Sequence, residues 1–241
     1  MRPTALQDVL ARADVWRGGE AARVTVPSIP TGFPALDALL PGGGWPRGAL
    51  TEILPEREGI GELSLLAPAL ARLSRQDLWL AFIAPPHLPY APALAAAGID
   101  LAQVVMIRPE KSGDILWAME QALRSGSCSA VLAWPPFLTE RAARRLQLAA
   151  EAGGGWGVYF SPATLVTAAS PAALRLALST TSLPENAAGA PLASAVASTR
   201  SGKLRVAILK RRGGAVPAPL LLDVPRPGDT VAPPAATLEW E

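Results

Sequence analysis

Apolar positions from residue 50 onward alternate between short continuous runs and longer amphipathic segments. The run Leu50–Leu54 is followed by a segment in which Leu63, Leu66, Leu70 and Leu73 share one helical face. Further apolar runs occupy residues 78–83, 104–107, 130–134 and 156–160, and helical patterns over 91–97, 115–123 and 138–149 lie between them. Continuous apolar strands separated by helices are typical of a parallel sheet covered on both faces. The pattern therefore predicts an α/β fold.

Beyond residue 170 the helical patterns stop and strand-like segments follow one another. The segments are Ala173–Leu178, Ala193–Ser198, Leu204–Leu209 and Leu220–Val224. Without helices between them, they predict an antiparallel extension of the sheet.

This organisation predicts three regions along the chain. Residues 1–26 form an N-terminal helical arm, residues 27–225 form the core, and residues 226–241 form a flexible tail rich in proline. Leu238 and Trp240 are an apolar pair in that tail, and they are either a short linear binding motif or without a role.

Composition narrows the function classes. The 241-residue chain is 50% hydrophobic and 17% charged, and it contains a single cysteine, Cys128, and a single histidine, His87. With only one cysteine and one histidine, the chain cannot form a Cys/His zinc cluster or an internal disulfide. It also has no G-x-S-x-G nucleophile motif. No apolar run approaches the roughly 20 residues of a membrane helix, and Asp8 interrupts the start of the chain where a signal peptide needs apolar residues. We expect a soluble, cytoplasmic protein that is not an enzyme and holds no metal.

Charge is uneven although the formal net charge is only +2. Residues 200–226 contain a single acidic residue, Asp223, and seven basic ones. The basic residues are Arg200, Lys203, Arg205, Lys210, Arg211, Arg212 and Arg226. Such a stretch is typical of a surface for nucleic acid or an acidic partner, and equally of a solvated edge strand with its turn.

The segment before and within the first strand-to-helix turn resembles RecA-type ATPases. Thr31-Gly32, Leu36-Asp37, Gly43-Gly44 and Pro46-Arg47-Gly48 are similar to the lead-in to the RecA phosphate loop. The resemblance implies a RecA-like core, with a mainly parallel twisted sheet, helices on both faces and the antiparallel C-terminal extension.

The residues that perform phosphoryl transfer in RecA are missing from the matching positions. Ile60 stands in place of the lysine that binds the β and γ phosphates, and Gly61 replaces the magnesium-binding hydroxyl. Pro86 replaces a glutamate after the second strand of the alternation, and Trp134 follows the fourth strand where an aspartate is needed. Because Glu58 and Glu62 add negative charge beside the turn, we expect no nucleotide cofactor and no ATPase activity.

Two bacterial families resemble this degenerate RecA pattern. The ImuA family is similar over residues 5–225, through Val15–Gly18, the lead-in Thr31–Gly48, Leu209–Gly214 and Leu220–Val224. The SulA cell-division inhibitors resemble a shorter stretch, from about Gly48 to Pro162, and lack the lead-in. The SulA-like segments are Thr51–Leu54, the Trp79 strand, Val104–Ile107, Ala122–Gly126, Val131–Pro135 and Leu138–Glu140.

The longer resemblance implies an ImuA-like, non-catalytic adaptor in DNA-damage-induced translesion synthesis and mutagenesis. Such an adaptor would link RecA and ImuB with an error-prone polymerase subunit, while DNA binding would be weak and non-specific and self-association is left open. The alternative is a SulA-like inhibitor that binds the tubulin-like division protein.

Two sets of residues are candidates for partner binding. By analogy with the N-terminal helix of RecA, Leu6, Leu10 and Trp16 would form a docking element, unless they close the protein's own core. The second candidate is the basic turn formed by Lys210, Arg211 and Arg212, which suits an acidic partner or phosphates.

Overall fold

A computed structural model describes residues 27–180, 203–213 and 215–225. The predicted N-terminal arm, with Leu6, Leu10 and Trp16, lies outside these residues. So do the predicted strand 193–198 and the segment 226–241 with Leu238 and Trp240. What was expected of these segments stays a prediction.

The described residues form one large sheet and one small one. The small sheet pairs β1 (Ser28–Ile29) with β2 (Trp45–Pro46) in antiparallel fashion. The large sheet has eight strands in the order β10-β9-β8-β3-β7-β6-β4-β5. Its strands are β3 (Leu50–Pro55), β4 (Trp79–Ile83), β5 (Val104–Ile107), β6 (Cys128–Ala133), β7 (Trp156–Phe160), β8 (Leu174–Thr180), β9 (Leu204–Lys210) and β10 (Leu220–Leu222).

Helices cover both faces of the parallel part of the sheet. The helices are α1 (Pro34–Asp37), α2 (Glu62–Leu73), α3 (Ala91–Ala96), α4 (Ser112–Arg124) and α5 (Glu140–Gly153). One core cluster joins Leu36 of α1 and Leu66 of α2 to Phe82 of the sheet. The opposite cluster joins Met119 of α4 and Leu146 of α5 to the other face. The prediction of a mainly parallel sheet covered by helices on both faces is confirmed, whereas a specifically RecA-like core stays a prediction.

The lead-in segment folds as a local unit against α2. The Asp37 carboxylate accepts a hydrogen bond of 2.8 Å from the Thr31 backbone N–H, which ties the last residue of α1 to the turn that precedes the helix. Gly32 has a φ of +88°, and a Cβ there would lie 2.5 Å from the Cβ of Pro68 in α2. Glycine is therefore required at this position both by the backbone conformation and by the close approach of α2.

The strand β8 corrects one part of the predicted topology. It pairs in parallel with β3 and antiparallel with β9, so it is a sixth parallel strand and not the first strand of the antiparallel extension. The chain passes from β7 over β3 to β8 through residues 161–173, which contain only the 3-10 turn Ala163–Leu165. A crossover without an α-helix leaves no helical period in the sequence, and this is why the parallel pairing was missed. The extension itself consists of β9 and β10.

Candidate partner-binding surface

The turn between β3 and α2 is filled by the chain's own carboxylate. Gly61 caps α2 with a φ of +115°, and Gly59 has a φ of +76°. The buried Glu62 side chain accepts hydrogen bonds from the backbone N–H of Gly59 at 2.8 Å and of Gly61 at 3.1 Å. Backbone N–H groups at a helix N-terminus are the groups that hold a phosphate in a phosphate loop. Here a glutamate takes that position, and an incoming phosphate would meet its negative charge.

Two other side chains of this turn also contact the rest of the fold. Ile60, which stands where RecA has its lysine, packs partly buried against the core. Glu56 accepts hydrogen bonds from the hydroxyl and the backbone N–H of Thr180, and these bonds lower the pKa of Glu56. The turn is therefore tied to the end of β8.

An aromatic stack lies at the carboxyl ends of β4, β6 and β7. Trp134 is stacked between Phe160, with ring centroids 4.4 Å apart, and Phe82, at 6.3 Å. This is the end of β6, where the resemblance to RecA called for an aspartate. The place of an acidic group is thus taken by an apolar contact that closes the core.

Large apolar side chains project from the loops and the helix that follow β4, β5 and β6. Tyr90 and Phe137 are each 71% exposed, Leu88 is 64% exposed and Trp117 is 63% exposed. The carboxyl ends of these parallel strands meet at one edge of the sheet. We call Leu88, Tyr90, Trp117 and Phe137 the carboxyl-edge surface. Exposed aromatic side chains that share one edge of a sheet are candidates for anchors in the binding of a macromolecule.

The loops that carry this surface have restricted backbones. Pro85, Pro86 and Pro89 surround Leu88, and a further proline pair, 135–136, directly precedes Phe137. Ala84, the residue that starts the first loop, has a φ of +51°, and its N–H donates to the Ile107 carbonyl at 2.9 Å. A non-glycine residue in this left-handed region is strained and is kept there by its surroundings. Loops already fixed in this way lose little conformational freedom on binding.

Sequence reasoning did not single out this surface. Its signal was present, because Leu88, Tyr90 and Phe137 lie beside prolines in segments that continue neither a strand pattern nor a helix pattern. An apolar residue in such a segment lies outside the elements that build the core. Trp117 gave no such signal, since it sits within a helix whose other apolar residues are buried or partly buried.

The predicted basic turn is connected to the rest of the protein by its own side chains. Lys210 donates from Nζ to the Ser170 carbonyl at 2.6 Å, and Arg211 donates to the carbonyls of Leu39 and Ala215. The guanidinium of Arg212 lies 3.7 Å from the Glu151 carboxylate. Lys210 and Arg212 are exposed, so binding of a partner at this turn stays a prediction.

A buried ion pair joins β3 to β8 on the face covered by α4 and α5. Arg175 donates from Nε to a Glu52 carboxylate oxygen at 2.5 Å, and the two side chains are only 7% and 5% exposed. The same guanidinium donates to the carbonyls of Ala168 at 2.7 Å and Leu165 at 3.0 Å. The pair therefore holds the β7–β8 crossover in place. The sequence signal for this ion pair was one charged residue inside each of two apolar strands. Glu52 lies in the first parallel strand and Arg175 in the last.

Two further findings concern the described residues. No helix among them is both long enough and apolar enough to cross a membrane. In the same part of the chain no three His, Cys, Asp or Glu side chains come together in a way that would hold a metal ion.

Comparison with known proteins gives consistent matches. The family model described as cell division inhibitor SulA matches residues 48–157. A cell division inhibitor SulA from Edwardsiella piscicida is 43% identical over 101 residues, which are 42% of this chain and 60% of that protein. A cell division inhibitor SulA from Serratia proteamaculans is 33% identical over 119 residues, or 49% of this chain and 71% of that protein. The crystal structure of SulA from Pseudomonas aeruginosa is 28% identical, with a TM-score of 0.40 over 46% of this chain and 97% of that one.

The sheet topology and the sequence matches assign the chain at two levels. Its fold is an α/β domain with a mainly parallel sheet, in which the first strand-to-helix turn is filled by Glu62. By its sequence the chain belongs to the SulA family. The match covers 60% of the length of the Edwardsiella protein, so what that whole protein does is carried over here only as a proposal.

The family assignment corrects the function inferred from the longer resemblance. The expected adaptor for translesion synthesis, with RecA and ImuB as partners, is wrong, because the family model and the named relatives are inhibitors of cell division. That inference gave most weight to segments 15–18, 31–48, 209–214 and 220–224, which flank the matched residues 48–157. Membership of the ImuA branch in particular stays a prediction.

Proposed function

We propose that this chain is a non-enzymatic cell-division inhibitor that binds the tubulin-like division protein and prevents its polymerisation. The observation that carries the proposal is the family match over residues 48–157, which takes in the loops of the carboxyl-edge surface. Inhibition by binding needs an interaction surface and no reaction chemistry. This agrees with a first turn whose N–H groups are already bonded to Glu62.

The carboxyl-edge surface is the binding surface we propose. Tyr90 and Phe137 are aromatic, highly exposed and held on proline-rich loops. Aromatic side chains with these properties are the type of residue that dominates binding energy at interfaces, where one anchor commonly contributes about 2 kcal/mol or more. Bound to the division protein through this edge, the chain would compete with the next subunit of the growing polymer.

The direct test is polymerisation of the purified tubulin-like protein with GTP, followed by light scattering and by sedimentation. We expect the wild-type chain to suppress both signals as its concentration approaches that of the polymerising protein. Unchanged polymerisation in the presence of a folded wild-type chain would contradict the proposed function.

The surface is tested separately with a matched pair of variants. The double variant Tyr90→Ser, Phe137→Ser removes two anchors, so the inhibitory concentration should rise by about tenfold or more, since 1.4 kcal/mol corresponds to a factor of ten. The control is Leu148→Ser on α5, which is 63% exposed and also within the matched residues. Equal effects of the two substitutions would reject the carboxyl-edge surface and leave the function standing.

A further inference from the structure

The outer strands β8, β9 and β10 have one face that no described helix covers. On their inner face Leu176, Val206 and Ile208 are buried in the core. The alternating residues point to the opposite side, where α4 and α5 pack mainly on β3, β4, β6 and β7. We call the following residues the outer face: Ala177, Ser179, Arg205, Ala207, Leu209 and Leu221.

The register of the strands brings these side chains into rows. Arg205 is paired with Ser179 on one side and with Leu221 on the other, and Ala177 is paired with Ala207. Leu221 is 50% exposed, and the alanines leave a shallow apolar area beside it. Side chains paired directly across strands lie about 5 Å apart, so the rows form a continuous surface.

The outer face carries positive charge. Arg205 is exposed at its centre, and Lys203 and Lys210 lie at the two ends of β9. The Asp223 carboxylate lies 3.7 Å from Lys203 and offsets one of these charges. A ligand that complements this surface is apolar and acidic.

The chain itself contains such a segment a short distance away. The described structure ends at Pro225, three residues after β10, and Leu238-Glu239-Trp240-Glu241 follow in the sequence. Leu238 is the thirteenth residue after Pro225. A connection of thirteen residues can span at most about 45 Å. Three strands are about 10 Å across, so the segment can reach every part of the outer face.

We propose that the outer face is an interaction surface for an acidic apolar peptide and that residues 238–241 of the same chain occupy it. Leu238 and Trp240 cover the alanines and Leu221, and the neighbouring glutamates lie against Arg205. Because the segment is tethered close to the face, its effective concentration is in the millimolar range, and a weak contact is enough to keep it bound. The outer face lies outside residues 48–157, so this proposal does not depend on the proposed function.

The test measures access to the outer face by thiol labelling of the full chain. Cys128 is buried and is replaced by Ala, and Leu221→Cys supplies the reporter thiol. We expect the Leu221→Cys thiol to react with a maleimide about ten times more slowly than in the same chain with Leu238→Ala and Trp240→Ala. In the matched control, the reporter is Leu148→Cys on α5, and its rate should not change with the two alanines. The proposal would be overturned if the 221 reporter reacted equally fast in the chain with the original residues 238 and 240 and in the chain with the two alanines. This holds whether the thiol is accessible in both chains or protected in both.

Charge and dilution identify the occupant. Arg205→Glu should raise the labelling rate of the 221 reporter, and adding Glu239→Arg and Glu241→Arg to that variant should lower it again. Protection should be the same over a hundredfold dilution, because the contact is within one chain. Protection that disappears on dilution would show that a second copy covers the face, and the intramolecular occupant would then be rejected.

Discussion

Removal of the Arg175 guanidinium is expected to be among the most destabilising single changes in this protein. Arg175→Met keeps the apolar stem of the side chain but leaves the Glu52 carboxylate buried without its partner. It also removes the donors to the carbonyls of Leu165 and Ala168 in the β7–β8 crossover.

The magnitude follows from the burial of both groups. Breaking a buried ion pair on one side destabilises a protein by about 3–5 kcal/mol, because a charge is left in a medium that solvates it poorly. A domain of this kind has a total free energy of unfolding of about 5–15 kcal/mol. With a urea m-value of about 2 kcal/mol per molar, the midpoint of unfolding should fall by about 2 M.

Urea unfolding followed by circular dichroism measures this shift, and two further variants define its cause. The double variant Glu52→Leu, Arg175→Met removes both charges, and it should be more stable than Arg175→Met alone. The exposed pair of Arg144 and Glu140, 2.5 Å apart, is the matched control. Arg144→Met should change the free energy of unfolding by less than about 1 kcal/mol. The reasoning is refuted if Arg175→Met is as mild as that control, or if the double variant is no more stable than Arg175→Met.

Three other predictions come from hydrogen bonds and burial near the carboxyl edge and the crossover. Glu62→Ala leaves two backbone N–H groups at the start of α2 without an acceptor and should lower the free energy of unfolding by about 1–2 kcal/mol in urea titrations, more than Glu62→Gln. Thr180→Val removes the hydroxyl that lowers the pKa of Glu56, so an NMR titration should find that pKa closer to its ordinary value of 4.5, and an unchanged value would contradict the assigned cause. The wild type should correspondingly lose a small part of its stability as the pH falls through the pKa of folded Glu56, and Thr180→Val should lose less. Burial and the nearby Glu52 carboxylate raise the pKa of Tyr159 above its ordinary value of 10. In a Tyr90→Phe variant, the phenolate absorbance should therefore develop only well above pH 10. Because the unfolded chain ionises this tyrosine first, the free energy of unfolding should fall as the pH rises beyond 10.

Much of the fold could be predicted because periodicity reports burial directly. The five apolar runs from Leu50 to Phe160 are strands in the structure, and the helices between them lie close to their predicted positions. The position of β8 could not be predicted in this way. Its sequence gives a strand but not a partner, and pairing with β3 depends on a crossover that spans another strand without forming an α-helix.

The candidate surface was less predictable, since exposure belongs to the assembled fold. The prolines around Leu88 and before Phe137 indicated rigid loops, but Trp117 is a helical residue whose exposure follows from the way α4 packs on the sheet. The basic turn shows the opposite case. Lys210, Arg211 and Arg212 read as a cationic group in sequence, whereas the structure connects each of them to an oxygen of its own chain.

The sequence by itself determined that this chain forms an α/β domain and that the turn after β3 lacks the lysine and the hydroxyl of a phosphate loop. Both conclusions depend on residue type and local spacing, which are properties of the linear chain. Only the tertiary structure decided that Glu62 bonds to the N–H groups of that turn, that Glu52 and Arg175 form a buried pair, and that no helix among the described residues packs on one face of β8–β10. These features join residues up to 123 positions apart or depend on which strands receive helices, and the physical reason they escape sequence analysis is that burial and pairing are set by packing between distant segments.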